Sequence, residues 1–266
     1  MASPLRIDGA HAARMYDYYL GGKDNFPADR AAAARVVDLL PSAPTGSRAN
    51  RRFLGRAVRF AAGRGISQFL DIGTGLPSSD NTHEVAQAAV PDARVVYVDN
   101  DPIVLSHARA KLRSTAEGRI AYLDGDFRDP ASILDAPQTK ALLDLSQPVA
   151  LLLVALLHFI PDAEEPADLL ARYRDALAPG SVLVLTHGTG ELLPPAVAES
   201  VTLAYARAGL DIVSRTHAEV AGFFGELDLV QPGVVPVHEW RPDNDEDRGL
   251  TAIEVPGYAG VAVKRG

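Results

Sequence analysis

The sequence contains no cysteine. Disulfides, thiolate zinc sites and cysteine nucleophiles are therefore excluded, and the absence suits a reducing, cytoplasmic setting. Long apolar runs are also missing: the longest, residues 149–157, has nine residues, whereas a membrane-spanning helix needs about 20. Charged residues interrupt the N-terminal segment, so we expect no signal peptide and no membrane partner. The nine-residue run is interpreted as a buried central strand.

An excess of basic residues is lacking as well. Asp and Glu number 34 against 26 Lys and Arg, for a net charge of −8, which argues against general affinity for nucleic acid. One local exception is a group of closely spaced arginines: Arg48, Arg51, Arg52, Arg56, Arg59 and Arg64. Such a group is either a solvated helix face or an anion site, and composition favours the solvated face.

Metal-ligand patterns are equally weak. The acids Asp243, Asp245, Asp247 and Glu254 match positions of a helix-flanked calcium loop, but Arg248 stands where that loop requires glycine. We interpret this stretch as a solvated loop and predict no metal site.

Strand-like and helix-like segments alternate along most of the chain. Apolar strand patterns occur at 67–72, 94–98, 120–123, 148–157 and 181–186, and helical patterns separate them. This alternation predicts a parallel sheet covered on both faces. Two late strands, 227–235 and 258–264, suggest a C-terminal antiparallel hairpin, making a seven-stranded, mostly parallel sheet of an α/β fold. Helices expected before the first strand divide the chain into an N-terminal helical extension, 1–64, and a main domain, 65–266.

The segment after the first strand reads Asp71-Ile72-Gly73-Thr74-Gly75. In a doubly wound sheet, ligands bind at the carboxyl ends of the strands, and glycines let the backbone approach them closely. The dinucleotide fingerprint is incomplete, because Ser78 stands where its last glycine belongs. A carboxylate at position 71 would repel a phosphate but attract a sulfonium or ammonium. The loop therefore favours S-adenosylmethionine (SAM) over NAD.

The next two strand ends also carry acids. Asp99 can accept hydrogen bonds from both ribose hydroxyls, Asp126 can take the adenine amino group, and Phe127 can stack on the ring. Asn100 beside Asp99, and Ala155 at the end of the fourth strand, are expected to contact the same cofactor.

These motifs resemble those of the class I SAM-dependent methyltransferases. More narrowly, three segments look like an actinobacterial methyltransferase family first catalogued as a domain of unknown function: ARMYDYYLGGKDN at 13–25, RANRRFL at 48–54 and FLDIGTGLP at 69–77. The C-terminal VQPG at 230–233 and WRP at 240–242 fit the same family. Pro77 replaces the third glycine of the broader class. The resemblance implies a Rossmann-like methyltransferase fold and binding of SAM.

The residues around the acceptor are less determined. His158 follows the fourth strand, where it is either a general base facing the transferred methyl or a packed histidine. Tyr16, Tyr19 and Asn25, beside the Gly21-Gly22 pair, are expected to form a lid over the cofactor. We also expect a second group to shape the acceptor pocket, namely His187 and Trp240.

The sequence thus predicts methyl transfer from SAM to an oxygen or nitrogen of a small-molecule acceptor, leaving S-adenosylhomocysteine. A non-catalytic SAM-binding protein is the first alternative, and an NAD-dependent oxidoreductase the second. The fourth strand end lacks an Asn-Pro-Pro-Tyr motif, which disfavours methylation of nucleic-acid bases. The acceptor and the oligomeric state stay open.

Overall fold

Eight strands form one sheet in residues 8–266, the part of the chain that the computed structural model describes. The strands are β1 Gln68–Ile72, β2 Arg94–Asp99, β3 Arg119–Asp124, β4 Ala150–Val154, β5 Val182–Gly188, β6 Asp228–Leu229, β7 Val235–Pro236 and β8 Gly257–Val263. The helices are α1 Ala12–Tyr19, α2 Pro27–Leu39, α3 Ala43–Gly63, α4 Thr82–Ala89, α5 Pro102–Lys111, α6 Pro130–Leu134, α7 Pro137–Leu142, α8 Pro166–Ala176, α9 Pro195–Arg207, α10 His217–Gly222 and α11 Asp245–Arg248. Residues 1–7 of the predicted N-terminal extension lie outside the described part.

The strand order is β3-β2-β1-β4-β5-β8-β6, with β7 also paired to β8. Strands β1 to β5 are parallel, whereas β8 runs antiparallel to β5. The order reverses between β1 and β4, which is where doubly wound sheets bind their ligands. The predicted fold class is confirmed: a largely parallel sheet with antiparallel strands at its C-terminal end.

The segment predicted as a single strand at 227–235 is divided in two. β6 pairs with β8 at Asp228↔Val263, and β7 pairs with it at Val235↔Ala259. Pro232 and Gly233 lie between them, and Gly233 has a φ of 94°. A proline cannot donate a ladder hydrogen bond and a Pro-Gly pair favours a turn, so pairing is interrupted at that point.

The parallel strands other than the edge strand β3 are buried on both faces because helices cover both sides. Alternate side chains separate into two cores: Phe69 and Leu152 on one face, Leu70 and Leu151 on the other. Helix α3 shares the first core through its apolar face, which includes Phe53. Helices α1 and α2 instead pack with α9 in a third cluster. Only α1 and α2 of the predicted extension therefore stand apart from the cores of the sheet.

The arginines of α3 bind the acidic C-terminal segment. Arg56 Nη1 donates to Asp247 Oδ2 at 2.5 Å, and Arg52 Nε donates to Asp247 Oδ1 at 2.7 Å. Arg59 pairs with Asp243 at the surface. Three of the acids that match a calcium loop, Asp243, Asp245 and Asp247, are thus paired with arginines. Within the described residues no cluster of His, Asp and Glu could hold a metal ion. None of the described helices is long and apolar enough to cross a membrane.

Replacing Asp247 should destabilise the protein strongly. The carboxylate is fully buried, and Asp247→Ala leaves the buried Arg56 guanidinium with only the half-exposed Asp243 carboxylate, 3.9 Å away. Breaking a buried pair from one side costs about 3–5 kcal/mol, so the free energy of unfolding in urea should fall by about that amount. Asp245→Ala in the same short helix is the matched control, because its pair with Arg248 is exposed. Equal midpoints for both variants would contradict this account.

Candidate active site

A cavity of about 570 Å³ opens at the carboxyl ends of the parallel strands. Its floor is formed by the ends of β1 to β5, and its other walls come from α1, α2, α3 and α9. A volume of this size is in the range of small-molecule sites, about 300–1,000 Å³. The cavity brings most of the sequence-predicted site residues together.

The loop after β1 turns by means of two glycines. Gly73 has a φ of 72° and Gly75 a φ of 68°, the left-handed region that favours glycine. A Cβ on Gly73 would also stand 2.8 Å from Leu156 Cδ1. Thr74 lies between the two glycines, and its N–H donates to Val98 O at 3.2 Å. The chain therefore lies flat along the end of β2 and exposes its backbone to the cavity.

Asp71 lies under this loop at the edge of the cavity. Its Oδ2 accepts a hydrogen bond of 2.6 Å from Thr82 Oγ1 in the first turn of α4. Burial raises the pKa of Asp71 to about 6, against the opposing effects of Thr82 and Arg51. The carboxylate is therefore mostly ionised at neutral pH and carries a negative charge beside the glycine loop.

Asp99 ends β2 and is joined to the loop directly. Gly75 N donates to its Oδ2 and Asp101 N to its Oδ1, both at 2.9 Å. Burial raises the pKa of Asp99 above its usual range. Each carboxylate oxygen has a further lone pair, so the two can also accept the hydroxyls of a ribose.

Asp126 follows β3 and is held by its neighbours. Asn100 Nδ2 donates to Asp126 Oδ2 at 2.8 Å, and Arg128 N donates to Oδ1 at 2.9 Å. Burial opposes ionisation, but these hydrogen bonds and the Arg128 charge leave the pKa of Asp126 lowered. Phe127 stacks on Tyr173, with ring centroids 5.2 Å apart. One face of the Phe127 ring is therefore covered, and an adenine ring can stack only on the other face.

Ala155 stands just beyond β4 with a φ of 56°. A left-handed conformation is costly for a residue other than glycine and is concentrated at functional sites. The Ala155 N–H donates to Thr186 Oγ1 at 2.8 Å, which fixes the bend at the cavity wall.

Arg51 lines the cavity, although the sequence favours a solvated helix face for it over a contact with the methionine carboxylate. Its Nη2 donates to Ser79 O and Asp80 O at 3.1 and 3.0 Å. Its Nε is buried and has no hydrogen-bond partner among the described residues. Ser47, Asn50 and Leu54, also on α3, line the cavity as well, and this helical spacing was the signal that could have identified Arg51.

These groups fit SAM in charge and in donor pattern. The spare Arg51 Nε suits a carboxylate, the Asp71 carboxylate suits a sulfonium or ammonium, and Asp99 suits ribose hydroxyls. A pyrophosphate would instead be repelled by the negative charge of Asp71. The donor set therefore matches the amino-acid and nucleoside parts of SAM.

Some of the residues predicted for the lid and the acceptor side line the cavity, and others do not. His158, His187, Tyr16 and Tyr19 line the cavity. Tyr16 is anchored to α3, because its hydroxyl accepts from Asn50 Nδ2 at 2.9 Å and donates to Ser47 O at 3.0 Å. The Tyr19 hydroxyl lies 3.2 Å from that of Tyr205 on α9.

Two predicted residues are not at the cavity in the described structure. Asn25 Nδ2 donates to Asp17 Oδ2 at 2.7 Å and to Gly22 O at 3.0 Å, so Asn25 secures the turn after α1. Trp240 is fully buried against Phe53 of α3, with ring centroids 5.3 Å apart. Its apolar bulk completes the core beneath the arginines instead of shaping an acceptor pocket.

The two histidines at the ends of β4 and β5 are hydrogen-bonded through Gly188. His158 Nδ1 accepts from Gly188 N at 3.2 Å, and His187 Nδ1 lies 2.7 Å from Gly188 O. Burial, with help from the nearby Arg215 charge, lowers the pKa of His187 to about 4 and that of His158 well below its usual value. Both rings are therefore uncharged at neutral pH.

The fold and this site define a nucleoside-binding enzyme of the class I methyltransferase type. Residues 1–265 match the family model described as S-adenosyl methyltransferase. The chain belongs to this family and is a SAM-dependent methyltransferase. The dinucleotide alternative is thereby set aside. No curated protein matches the chain.

Two solved structures resemble the chain over almost its whole length. A DUF574 family protein from Streptomyces avermitilis is 46% identical, with a TM-score of 0.94 over 98% of this chain and 99% of the other. A methyltransferase candidate from Thermobifida fusca is 42% identical, with a TM-score of 0.90 over 98% and 97%. The plantazolicin methyltransferase BpumL, in complex with S-adenosylhomocysteine, shares the fold at 12% identity, with a TM-score of 0.50 over 95% of each chain.

We expect the Asp99 carboxylate to accept both ribose hydroxyls, so Asp99→Ala should weaken S-adenosylhomocysteine binding by about tenfold or more. Titration calorimetry measures the affinity directly. Asp124→Ala is the matched control, since Asp124 pairs with Asp99 in register but is exposed and lies outside the cavity lining. If Asp99→Ala has the same affinity as the control, Asp99 does not contribute to cofactor binding.

Proposed function

We propose that the enzyme transfers a methyl group from SAM to an oxygen or nitrogen of a small molecule enclosed in the same cavity. The observation that carries this proposal is the extent of the cavity beyond the ends of β4 and β5. There its walls come from α1, α2, α9 and residues 209–214. We call this part the acceptor chamber.

The acceptor chamber is lined largely by apolar side chains. Val36, Leu40, Phe159, Val201 and Ile212 contribute to its surface. Apolar linings with a few placed polar groups are typical of small-molecule sites. The lining supports an acceptor with a mostly apolar body and argues against a nucleic-acid strand, whose phosphates require cationic walls.

Two tyrosine hydroxyls of the acceptor chamber are uncharged at neutral pH. Burial raises the pKa of Tyr19 and of Tyr205, so their paired hydroxyls stay protonated. They can orient an acceptor by hydrogen bonds without removing its proton. Thr202 on α9 lies at the same wall, with its hydroxyl donating to Ala198 O.

Helix α1 forms the roof of the cavity, and we assign it the lid role. Tyr16 ties α1 to α3 and Tyr19 ties it to α9. Arg14, buried in α1, lies 3.6 Å from Asp29 and 3.5 Å from Asp101. Asn25 supports this lid from behind, through the turn that follows it. The contacts of α1 with α3, α9, Asp29 and Asp101 would have to loosen for ligands to enter.

When bound, SAM supplies an electrophilic methyl group. The protein's part is to hold the acceptor in line with that methyl and to exclude water, and positioning of this kind supplies roughly 7–11 kcal/mol in favourable systems. The walls of the acceptor chamber perform this positioning, so its shape decides which molecules are methylated.

A bulky side chain in the acceptor chamber should lower turnover without changing cofactor binding. The acceptor is first found by incubating the enzyme with methyl-labelled SAM and a panel of hydroxyl- and amine-bearing compounds, with mass spectrometry of the products. Thr202→Trp should then lower kcat/KM for that acceptor roughly tenfold or more, since an added ring overfills the space. Affinity for S-adenosylhomocysteine should be unchanged.

The control is Leu203→Trp, one residue along α9. Leu203 is 48% exposed and is outside the cavity lining, so turnover should match that of the parent. If Thr202→Trp also matches the parent, the acceptor binds elsewhere and the proposal fails.

A further inference from the structure

His158 lies in a short 3-10 turn, Leu157–Phe159, directly after β4. Its side chain lines the cavity beside Phe159, with ring centroids 4.3 Å apart. Two functions are open to an imidazole at this place, removal of a proton from the acceptor or donation of a hydrogen bond to it. The position of the ring proton decides between them.

The backbone of Gly188 fixes that proton. A backbone N–H can only donate, so Nδ1 of His158, 3.2 Å from Gly188 N, must be the acceptor and carry no proton. A neutral imidazole has one N–H, which is therefore on Nε2. Nε2 has no hydrogen-bond partner among the described residues. His158 thus offers a donor, and its only basic lone pair is already used.

His187 cannot relay a proton to or from this ring. Its Nδ1 lies 2.7 Å from Gly188 O, a carbonyl that can only accept, so Nδ1 is protonated. Its Nε2 accepts from Arg215 Nη1 at 3.0 Å. Both ring nitrogens are occupied, and the ring is held in one uncharged form.

Arg215 connects the turn that carries His158 to the ring of His187. Its side chain is 4% exposed. Nη1 donates to Leu157 O at 2.9 Å as well as to His187, and Nη2 donates to Ile160 O at 2.9 Å. Nε and Nη2 both donate to Asp162 Oδ1. All five N–H groups are used, and the positive charge close to His158 further disfavours a second positive charge on that ring.

We propose that His158 is a hydrogen-bond donor to the nucleophilic atom of the acceptor, and that this atom is an oxygen. The inference rests on the proposed function and narrows it from oxygen or nitrogen to oxygen. An amine nitrogen has a single lone pair and cannot both accept from Nε2–H and attack a methyl group. A hydroxyl or phenol oxygen has two lone pairs and can do both. The acceptor oxygen gives its proton to bulk water before it is enclosed, because His158 has no free site for that proton.

The ring protons are measurable without knowing the acceptor. Long-range proton–nitrogen NMR spectra of histidine-labelled enzyme should show the Nε2–H form for His158 and the Nδ1–H form for His187. Neither should titrate between about pH 6 and about pH 8. The signals that are missing from the His158→Gln spectrum are those of His158, one of seven histidines. An Nδ1–H form of His158, or its protonation in this range, would overturn the proposal.

Two substitutions separate a donor from a base during turnover. His158→Ala removes the donor and should lower kcat/KM about tenfold, while His158→Gln keeps an N–H donor without basicity and should recover most of that loss. The pH profile of the parent should follow the ionisation of the acceptor alone. A His158→Gln enzyme as slow as His158→Ala, with a parent profile that titrates near the usual histidine pKa, would assign a base.

The outcomes also distinguish this inference from the proposed function. Methylation of amines but not of oxygen compounds would contradict the donor role and leave the acceptor chamber intact. If Thr202→Trp leaves turnover of every acceptor unchanged, the chamber itself is the wrong site, whatever the histidine spectra show.

Discussion

The contact between the glycine loop and Asp99 is the constraint on which the cofactor site depends. Because β1, β2 and β3 are parallel, their carboxyl ends meet at one edge of the sheet. At that edge Gly75 N donates to Asp99 Oδ2, and this bond is possible because Gly75 adopts a φ of 68°. The bend keeps the loop backbone open to the cavity and places Asp71 beneath it. The site therefore depends on a glycine conformation and on one buried carboxylate.

The sequence predicts which acids meet at the strand ends because its signals there are local. Asp71, Asp99 and Asp126 each follow a strand whose apolar pattern is visible, so the parallel topology alone brings them together. Trp240, predicted for the acceptor pocket, and Asn25, predicted for the lid, do not line the cavity, and nothing near them in sequence shows their partners. Trp240 packs on Phe53, far away along the chain. The partner of Arg52 and Arg56 on α3 could not be predicted either, because Asp247 lies almost 200 positions later. Helical periodicity indicates only that these arginines share one face of the helix.

The acceptor side depends on a second long-range group, centred on Arg215. No pattern near Arg215 in the sequence predicts that its five N–H groups connect the turn after β4 to His187 on β5. Sequence reasoning could therefore treat His158 only as a base or a packed residue. From the hydrogen bond that the Gly188 N–H donates to Nδ1, we infer instead that the His158 ring is a donor. A buried guanidinium, two uncharged imidazoles and a pair of tyrosine hydroxyls surround an apolar chamber, which suits orientation of an acceptor more than removal of its proton.

The central claim is that one cavity holds SAM at the strand ends and an acceptor beyond the ends of β4 and β5. A crystal structure of the enzyme with S-adenosylhomocysteine tests it most directly. We expect the ribose on Asp99, the carboxylate near Arg51, and the sulfur facing the space between His158 and Tyr205. A ligand bound at the strand ends with its sulfur facing solvent, or bound outside this cavity, would contradict the account.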